Sequence, residues 1–275
     1  FLRLTFTEHQ EYADLLFFEL RNRGILTYEG RPIFLTTEHS DEDLATFREA
    51  FKASVTTLIG VGLLDGRDPT AVRRIPMSTG QQEIWVSAQF SPEASCSYNL
   101  CSTLTLTGSF DLELLRASLC DLADRHEALR STPDRDGLTQ TIRPTVAPPL
   151  SFDDASADTE AAQAARVERA RREQVTSPFD LVDGPLVRCK VIRLRHDQHL
   201  VLLTVHHIIA DGWSCGVLLR DLGDLYAARK AQTAAGLEPA QQLSDFVSFL
   251  GQPDQLEARA EARDYWLKLY GGALP

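Results

Sequence analysis

Two adjacent histidines, followed four residues later by an aspartate, are the residues of this sequence best suited to chemistry. His206 and His207 end an apolar run, and Asp211-Gly212 forms a turn that opens the next segment. Imidazole has a pKa of about 6.5, so a neutral histidine can accept or return a proton near neutral pH. The segment therefore predicts proton transfer at one of the two histidines.

The two histidines are not expected to act together. Neighbouring side chains of a strand face opposite sides of the sheet, so only one imidazole can point into a cleft, and the other is expected to pack or hydrogen-bond within the structure. Imidazole and carboxylate also bind Zn²⁺. Opposite-facing histidines are a poor pair of ligands, however, and no third cluster of ligands accompanies them, so we expect no metal. Asp211 before Gly212 is also a common turn former.

The elements around this segment alternate between strands and helices. The apolar run 199–206 predicts a strand covered on both faces, and 186–194 predicts its hairpin partner. Helical spacing follows over 213–230. The same reasoning predicts strands over 102–107 and 138–142 and helices over 81–90, 110–125, 158–175, 243–250 and 255–270. This alternation indicates an α/β (α+β) sandwich.

The first 60 residues form a separate pattern. A helix is predicted over 9–23, a short β-prone run over 32–37, and a second helix after Ser40. Such a helix–strand–helix fragment is too small to bury a core alone. Turn formers and a basic pair over 61–75 predict a linker, which leaves 76–275 as the main domain.

Composition excludes several classes of protein. Lys and Arg number 28 and Asp and Glu 39, so the net charge is −11, and no nucleic-acid partner is expected. No run approaches the roughly 18 apolar residues of a membrane helix, and no signal peptide is recognisable. The five cysteines lack Cys-x-x-Cys spacing, which favours a reduced, cytoplasmic setting. Since the chain begins with Phe1, we expect it to be a piece of a longer protein.

Three segments, in order, resemble the condensation domains of nonribosomal peptide synthetases, which are relatives of chloramphenicol acetyltransferase. His206–Gly212 matches the family signature His-His-x-x-x-Asp-Gly. Met77–Trp85 is similar to the first motif of the family, and Arg125–Ser131 is similar to its second. The resemblance implies that 76–275 is the N-terminal lobe of such a domain, with a mixed sheet. The C-terminal lobe of the same domain is then an expected partner.

The resemblance implies formation of a peptide bond. An amine on a downstream carrier protein attacks an acyl thioester on an upstream one. Both substrates are attached to phosphopantetheine arms of the carrier proteins, so the resemblance implies that the chain itself binds no cofactor. By its match to the signature, His207 is the expected catalytic residue. It acts as the base, positions the amine, or stabilises the intermediate. As only one lobe is present, the isolated chain is expected to be inactive.

The resemblance also implies supporting roles for residues around His207. Asp211 is expected to form a buried pair with Arg188, and Gly212 to let the thioester approach the backbone. The remaining supporting residues are expected to pack or to lock the lobe together: His206, Arg125, His126 and Arg130. Two other functions remain open, namely a non-catalytic module that contacts carrier proteins and an acyltransferase that uses coenzyme A.

Residues 1–58 resemble a different family. The stretches Asp14–Phe18, Tyr28–Pro32 and Leu35–Asp43 are similar to the C-terminal tail of class III aminotransferases, which use pyridoxal phosphate. In hybrid polyketide–peptide synthetases such domains directly precede a condensation domain. The lysine and cofactor pocket of that family have no match here, so this fragment is expected to bind no cofactor.

Overall fold

The computed structural model describes residues 14–27, 38–61, 63 and 71–271. Contacts divide the chain into two units, Phe1–Pro69 and Thr70–Pro275. The strand predicted over 32–37 lies outside the described residues. Among the helices within them, none is long and apolar enough to cross a membrane.

The described residues of the first unit form two helices, α1 (Leu15–Asn22) and α2 (Asp41–Gly60). Ser40 caps α2 as predicted, because its hydroxyl accepts from the Asp43 amide while the Asp43 carboxylate accepts from the Ser40 amide. The two helices share a small apolar cluster formed by Leu16, Leu20, Ala50 and Leu58.

A four-stranded sheet is the centre of the second unit. Its strands are β2 (Asn99–Thr107), β5 (Leu150–Asp154), β6 (Val187–Arg195) and β7 (Gln198–His206), in the order β2-β7-β6-β5. Strand β7 pairs antiparallel with both β2 and β6, and β5 runs parallel to β6, so the sheet is mixed, as expected. The predicted hairpin is β6–β7.

A smaller antiparallel sheet contains β1 (Arg73–Pro76), β3 (Ser131–Pro133) and β4 (Thr139–Ile142), in the order β1-β4-β3. Residues 73–75 were predicted to belong to the linker but pair with β4. The prediction was wrong there because basic residues and proline, which resemble a linker, are also typical of edge strands.

Helices cover both faces of the central sheet. Alternate β7 residues Val201, Leu203 and Val205 join an apolar cluster with Leu119 of α5 and Leu222 of α7. The intervening Leu200 and Leu202 join a second cluster with Ala170 of α6. The strand over 199–206 is therefore covered on both faces, as predicted. The helices of the second unit are α3 (Thr79–Ala88), α4 (Pro92–Cys96), α5 (Leu112–Arg125), α6 (Glu160–Thr176), α7 (Gly212–Ala231), α8 (Leu243–Leu250) and α9 (Pro253–Tyr270).

Candidate active site

A tight turn joins the interior strand β7 to helix α7 and carries the predicted chemistry. The strand ends at His206 and the helix begins at Gly212. The His207 amide donates to the Tyr98 carbonyl at 2.8 Å, and the Ile209 amide donates to the His206 carbonyl at 3.0 Å. His207 therefore lies between a strand end and a helix N-terminus.

His206 lies in the core. Its side chain is fully buried beside the rings of Tyr98 and Phe179, and its Nδ1 accepts from the Ile208 amide at 3.2 Å. Burial, partly offset by the backbone of Ser95, lowers the pKa of His206 to about 4. The ring is therefore neutral near pH 7 and acts as a packing group.

His207 differs from its neighbour because it is only half-buried. Its ring lies edge-on to the Tyr98 ring, with 6.5 Å between the centroids. Within the described part of the chain, the imidazole forms no hydrogen bond. The ring can therefore reach solvent and a substrate.

Asp211 caps helix α7 instead of lying in a buried pair. Its Oδ1 accepts from the amide and the hydroxyl of Ser214, at 2.8 and 2.6 Å, and the residue is exposed. The Ser214 hydrogen bonds hold the pKa of this carboxyl below its usual range. The carboxylate thus stabilises the first turn of the helix that follows His207.

The predicted pair between Asp211 and Arg188 is wrong. The Arg188 guanidinium donates to the carbonyls of Gln174 and Ser177 and lies over the Phe179 ring, 4.0 Å from its centroid. Gln174 belongs to α6, so Arg188 faces the α6 side of the sheet. Asp211 begins α7, which packs on the other side. The sheet separates the two charges.

Gly212, at the start of α7, has open space around it. It is exposed, its φ is not positive, and a Cβ built at this position would meet nothing within 4 Å. Trp213, the next residue of α7, is 83% exposed. The backbone therefore does not itself require a glycine here, and the space is available to a bound group.

Residues of the second motif contact α7 away from the turn. Arg125 Nε and His126 Nε2 both lie 2.8 Å from Oδ2 of Asp221. Asp221 is nine residues after Gly212, about 14 Å along the helix axis. Arg130 instead holds the backbone, donating to the Ala123 carbonyl at 2.7 Å. These residues anchor the lobe and do not reach His207.

The pKa values of this anchor reflect competing effects. Burial raises the pKa of Asp221, but hydrogen bonds from Arg125 and His126 outweigh it and lower that pKa. Burial lowers the pKa of His126, against the opposing effect of Asp221. The anchor is thus held by a charged carboxylate and guanidinium.

Sequence reasoning missed one contact to the turn. Gln81 of α3 donates from Nε2 to the Ile208 carbonyl at 3.0 Å. The available signal was its place inside the first motif, three residues after Ser78, a cap position. Nothing in the sequence indicates its partner. In the described ranges, no group of three or more His, Cys, Asp or Glu residues could hold a metal ion.

Comparisons with known proteins give the family. The sequence model of the condensation domain matches residues 72–275. Phosphinothricin tripeptide synthetase PhsC of Streptomyces viridochromogenes is 36% identical over 219 residues, which are 76% of this chain and 20% of that protein.

Solved structures with a similar fold include a condensation domain. The starter condensation domain of rhizomide synthetase RzmA has a TM-score of 0.64 and 24% identity, covering 74% of this chain and 51% of that one. The SgcC5 protein from Streptomyces globisporus has a TM-score of 0.62 and 28% identity, covering 73% and 47%. The chain spans about half the length of these solved chains. With the family model matched over 72–275, the chain belongs to the condensation domain family.

Proposed function

We propose that this chain forms peptide bonds in nonribosomal peptide biosynthesis, as half of a condensation domain. The observation that carries the proposal is the half-buried, unbonded imidazole of His207 at the turn between β7 and α7. The match of residues 72–275 to the condensation domain supports it.

The proposed reaction joins an amine to an acyl thioester. The amine nitrogen bonds to the thioester carbon, and its proton passes to His207. The carbon–sulfur bond then breaks, its electron pair goes to sulfur, and the proton returns to the thiolate. A correctly placed imidazole contributes about 100-fold or more to such a transfer.

Both substrates are proposed to arrive on phosphopantetheine arms of carrier proteins upstream and downstream, with no cofactor held by the chain. The open space at Gly212 supports this, because an extended arm could approach the exposed backbone at the start of α7. The five cysteines, all free, suit the reduced cytoplasm that we propose as the site of action.

A second lobe of the same domain is the proposed partner of α9. This helix has no buried residue. The large apolar side chains of its last two turns are 54–62% exposed, namely Tyr265, Trp266, Leu267, Leu269 and Tyr270. Exposed apolar patches of this kind mark interfaces. Since the chain spans about half of the solved condensation domains, the missing half supplies a suitable covering surface.

The first unit is proposed to be the tail of an aminotransferase-like domain in a hybrid polyketide–peptide synthetase. The stretches Asp14–Phe18 and Leu35–Asp43 support this proposal by their resemblance to class III aminotransferases. It contributes no group to the reaction proposed above.

The test uses a complete condensation domain that contains this chain, supplied with loaded donor and acceptor carrier proteins. His207→Ala should lower the rate of amide formation about 100-fold or more, with an unchanged melting temperature. His196→Ala is the matched control, because His196 is 85% exposed on the β6–β7 turn and should leave the rate unchanged.

Three outcomes would contradict the proposal. A His207→Ala domain that keeps its rate of amide formation removes the catalytic role of His207. A wild-type domain that uses acyl-coenzyme A and ignores loaded carrier proteins is a different acyltransferase. Amide formation by this chain alone would show that a single lobe suffices.

A further inference from the structure

A buried pair of amide side chains joins three segments of the second unit. Gln81 lies in the first turn of α3 and Gln140 lies on β4, with 9% and 1% of their surfaces exposed. Each amide donates to the oxygen of the other, at 3.1 and 3.0 Å. Gln140 also donates to the Pro76 carbonyl at 3.2 Å. The pair therefore forms a reciprocal bridge between α3 and the small sheet.

The bridge continues into the turn that carries His207. Gln81 Nε2 donates a second hydrogen bond to the Ile208 carbonyl at 3.0 Å, and its Oε1 accepts from the Ser78 amide at 3.0 Å. Both donors and the oxygen of this buried amide are thus in use. A buried polar group is costly to leave unpaired, so the Gln81 amide holds Ser78, Gln140 and Ile208 in place relative to one another.

Ile208 is held from both sides. Its carbonyl accepts from Gln81, and its amide donates to Nδ1 of the buried His206 at 3.2 Å. His207 lies between these two anchored residues, and its own amide is held by the Tyr98 carbonyl. No hydrogen bond from another described residue orients the imidazole itself, so its direction depends on the backbone of this turn.

We propose that Gln81 is a positioning residue, which holds the turn through the Ile208 carbonyl and so aims the His207 imidazole at the reacting groups. The catalytic consequence rests on the proposed function, whereas the ordering of the turn does not. Gln140 fixes the orientation of the Gln81 amide through their two reciprocal hydrogen bonds.

The alternative is that Gln81 only caps α3. Glutamate at this position serves a capping box as well as glutamine does, because only the side-chain oxygen is used. Gln81→Glu therefore keeps the cap but removes the donor to Ile208. Gln81→Met removes the polar group at similar length and without charge. Gln82→Glu is the matched control, because Gln82 donates to the Met77 carbonyl, at 3.1 Å, and not to the turn.

Hydrogen exchange of this 275-residue chain tests the ordering. Peptides spanning 206–212 should exchange about tenfold faster or more in Gln81→Glu and Gln81→Met, whereas peptides spanning 187–195 should not change. Gln82→Glu should match the wild type throughout. If Gln81→Glu loses its melting transition, Gln81→Met carries the test. Exchange of 206–212 within about twofold of the wild type in a folded Gln81 variant overturns the proposal.

Kinetics of the complete domain test the consequence for catalysis. Gln81→Met should lower kcat about tenfold or more and leave KM for the loaded acceptor carrier within about twofold, because misplacing a catalytic group affects the reacting step. An unchanged kcat, or a change in KM alone, overturns the positioning role. An unchanged rate in His207→Ala would instead contradict the proposed function and leave the exchange result standing.

Discussion

The two halves of helix α7 are built in opposite ways. At its start, Asp211, Gly212 and Trp213 are exposed, and the neighbouring His207 ring is unbonded. Further along, Asp221 is buried between Arg125 and His126. The last turns of α7 bind α5 and the residues just before it. Arg229 pairs with Asp121 of α5. The Lys230 ammonium donates to the Ser109 carbonyl, and the Tyr226 hydroxyl accepts from the Asp111 amide.

This difference shows how one helix serves stability and chemistry at once. The bonded half fixes α7 against α5, whereas among the described residues the Asp211 carboxylate at the open end bonds only within its own helix, to Ser214. Because the bonded half holds the helix in place, the exposed residues at the start of α7 can leave room for substrates. Loss of a bonded residue should therefore lower stability, whereas loss of the His207 imidazole should lower activity alone.

The largest expected effect on stability comes from Asp221→Ala. It strands the Arg125 guanidinium, whose side chain is only 16% exposed, and breaks the bond to His126. Removing one partner of such a pair costs about 3–5 kcal/mol of unfolding free energy. Urea unfolding of this chain measures the change.

Asp224→Ala is the control for Asp221→Ala, because Asp224 is exposed one turn later on the same helix. It should change the free energy by no more than about 0.5 kcal/mol. Equal effects of the two substitutions would remove the contrast between the halves of α7.

A second prediction sharpens the contrast between the two histidines. Burial lowers the pKa of His206 to about 4, so between about pH 6.5 and pH 4 the unfolded chain binds a proton that the folded chain does not. Stability should fall as the pH falls through this window, by about 3 kcal/mol from this group. His206→Gln should remove this part of the pH-dependent loss of stability, because the glutamine amide can still accept from the Ile208 amide but does not titrate.

The measurement is urea unfolding of both proteins from about pH 7 to pH 4. Burial also lowers the pKa of His126 and of His199, so part of the slope remains in the variant. An identical slope in wild type and His206→Gln would show that His206 takes up its proton in the folded state.

Local patterns predicted the elements around the turn well. The strand predicted over 199–206 is Gln198–His206, and the helix predicted over 213–230 is Gly212–Ala231. Continuous apolar residues and an Asp-Gly turn define both by themselves. The prediction that one histidine packs while the other stays accessible agrees with the buried His206 and the half-buried His207, although the strand ends at His206 and its two-residue period does not extend to His207.

Features that depend on distant partners escaped prediction. Strand β5, Leu150–Asp154, follows a proline-rich turn and exists through its pairing with β6. The bond between Gln81 and Ile208 joins residues 127 positions apart. The pair expected between Arg188 and Asp211 failed because sequence alone does not say which face of the sheet each charge occupies.

The smallest effect is expected at the open end of α7. Asp211→Ala removes the hydrogen bonds to the Ser214 amide and hydroxyl, and loss of an N-cap costs about 1 kcal/mol. Because the residue is exposed and has no buried cation as partner, the cost should be well below that of Asp221→Ala. Asp211→Asn keeps an accepting oxygen and should lose only a few tenths of a kcal/mol. A loss from Asp211→Ala as large as that from Asp221→Ala would mean that this carboxylate also bears a tertiary contact, and the open end of α7 would then be anchored like the rest.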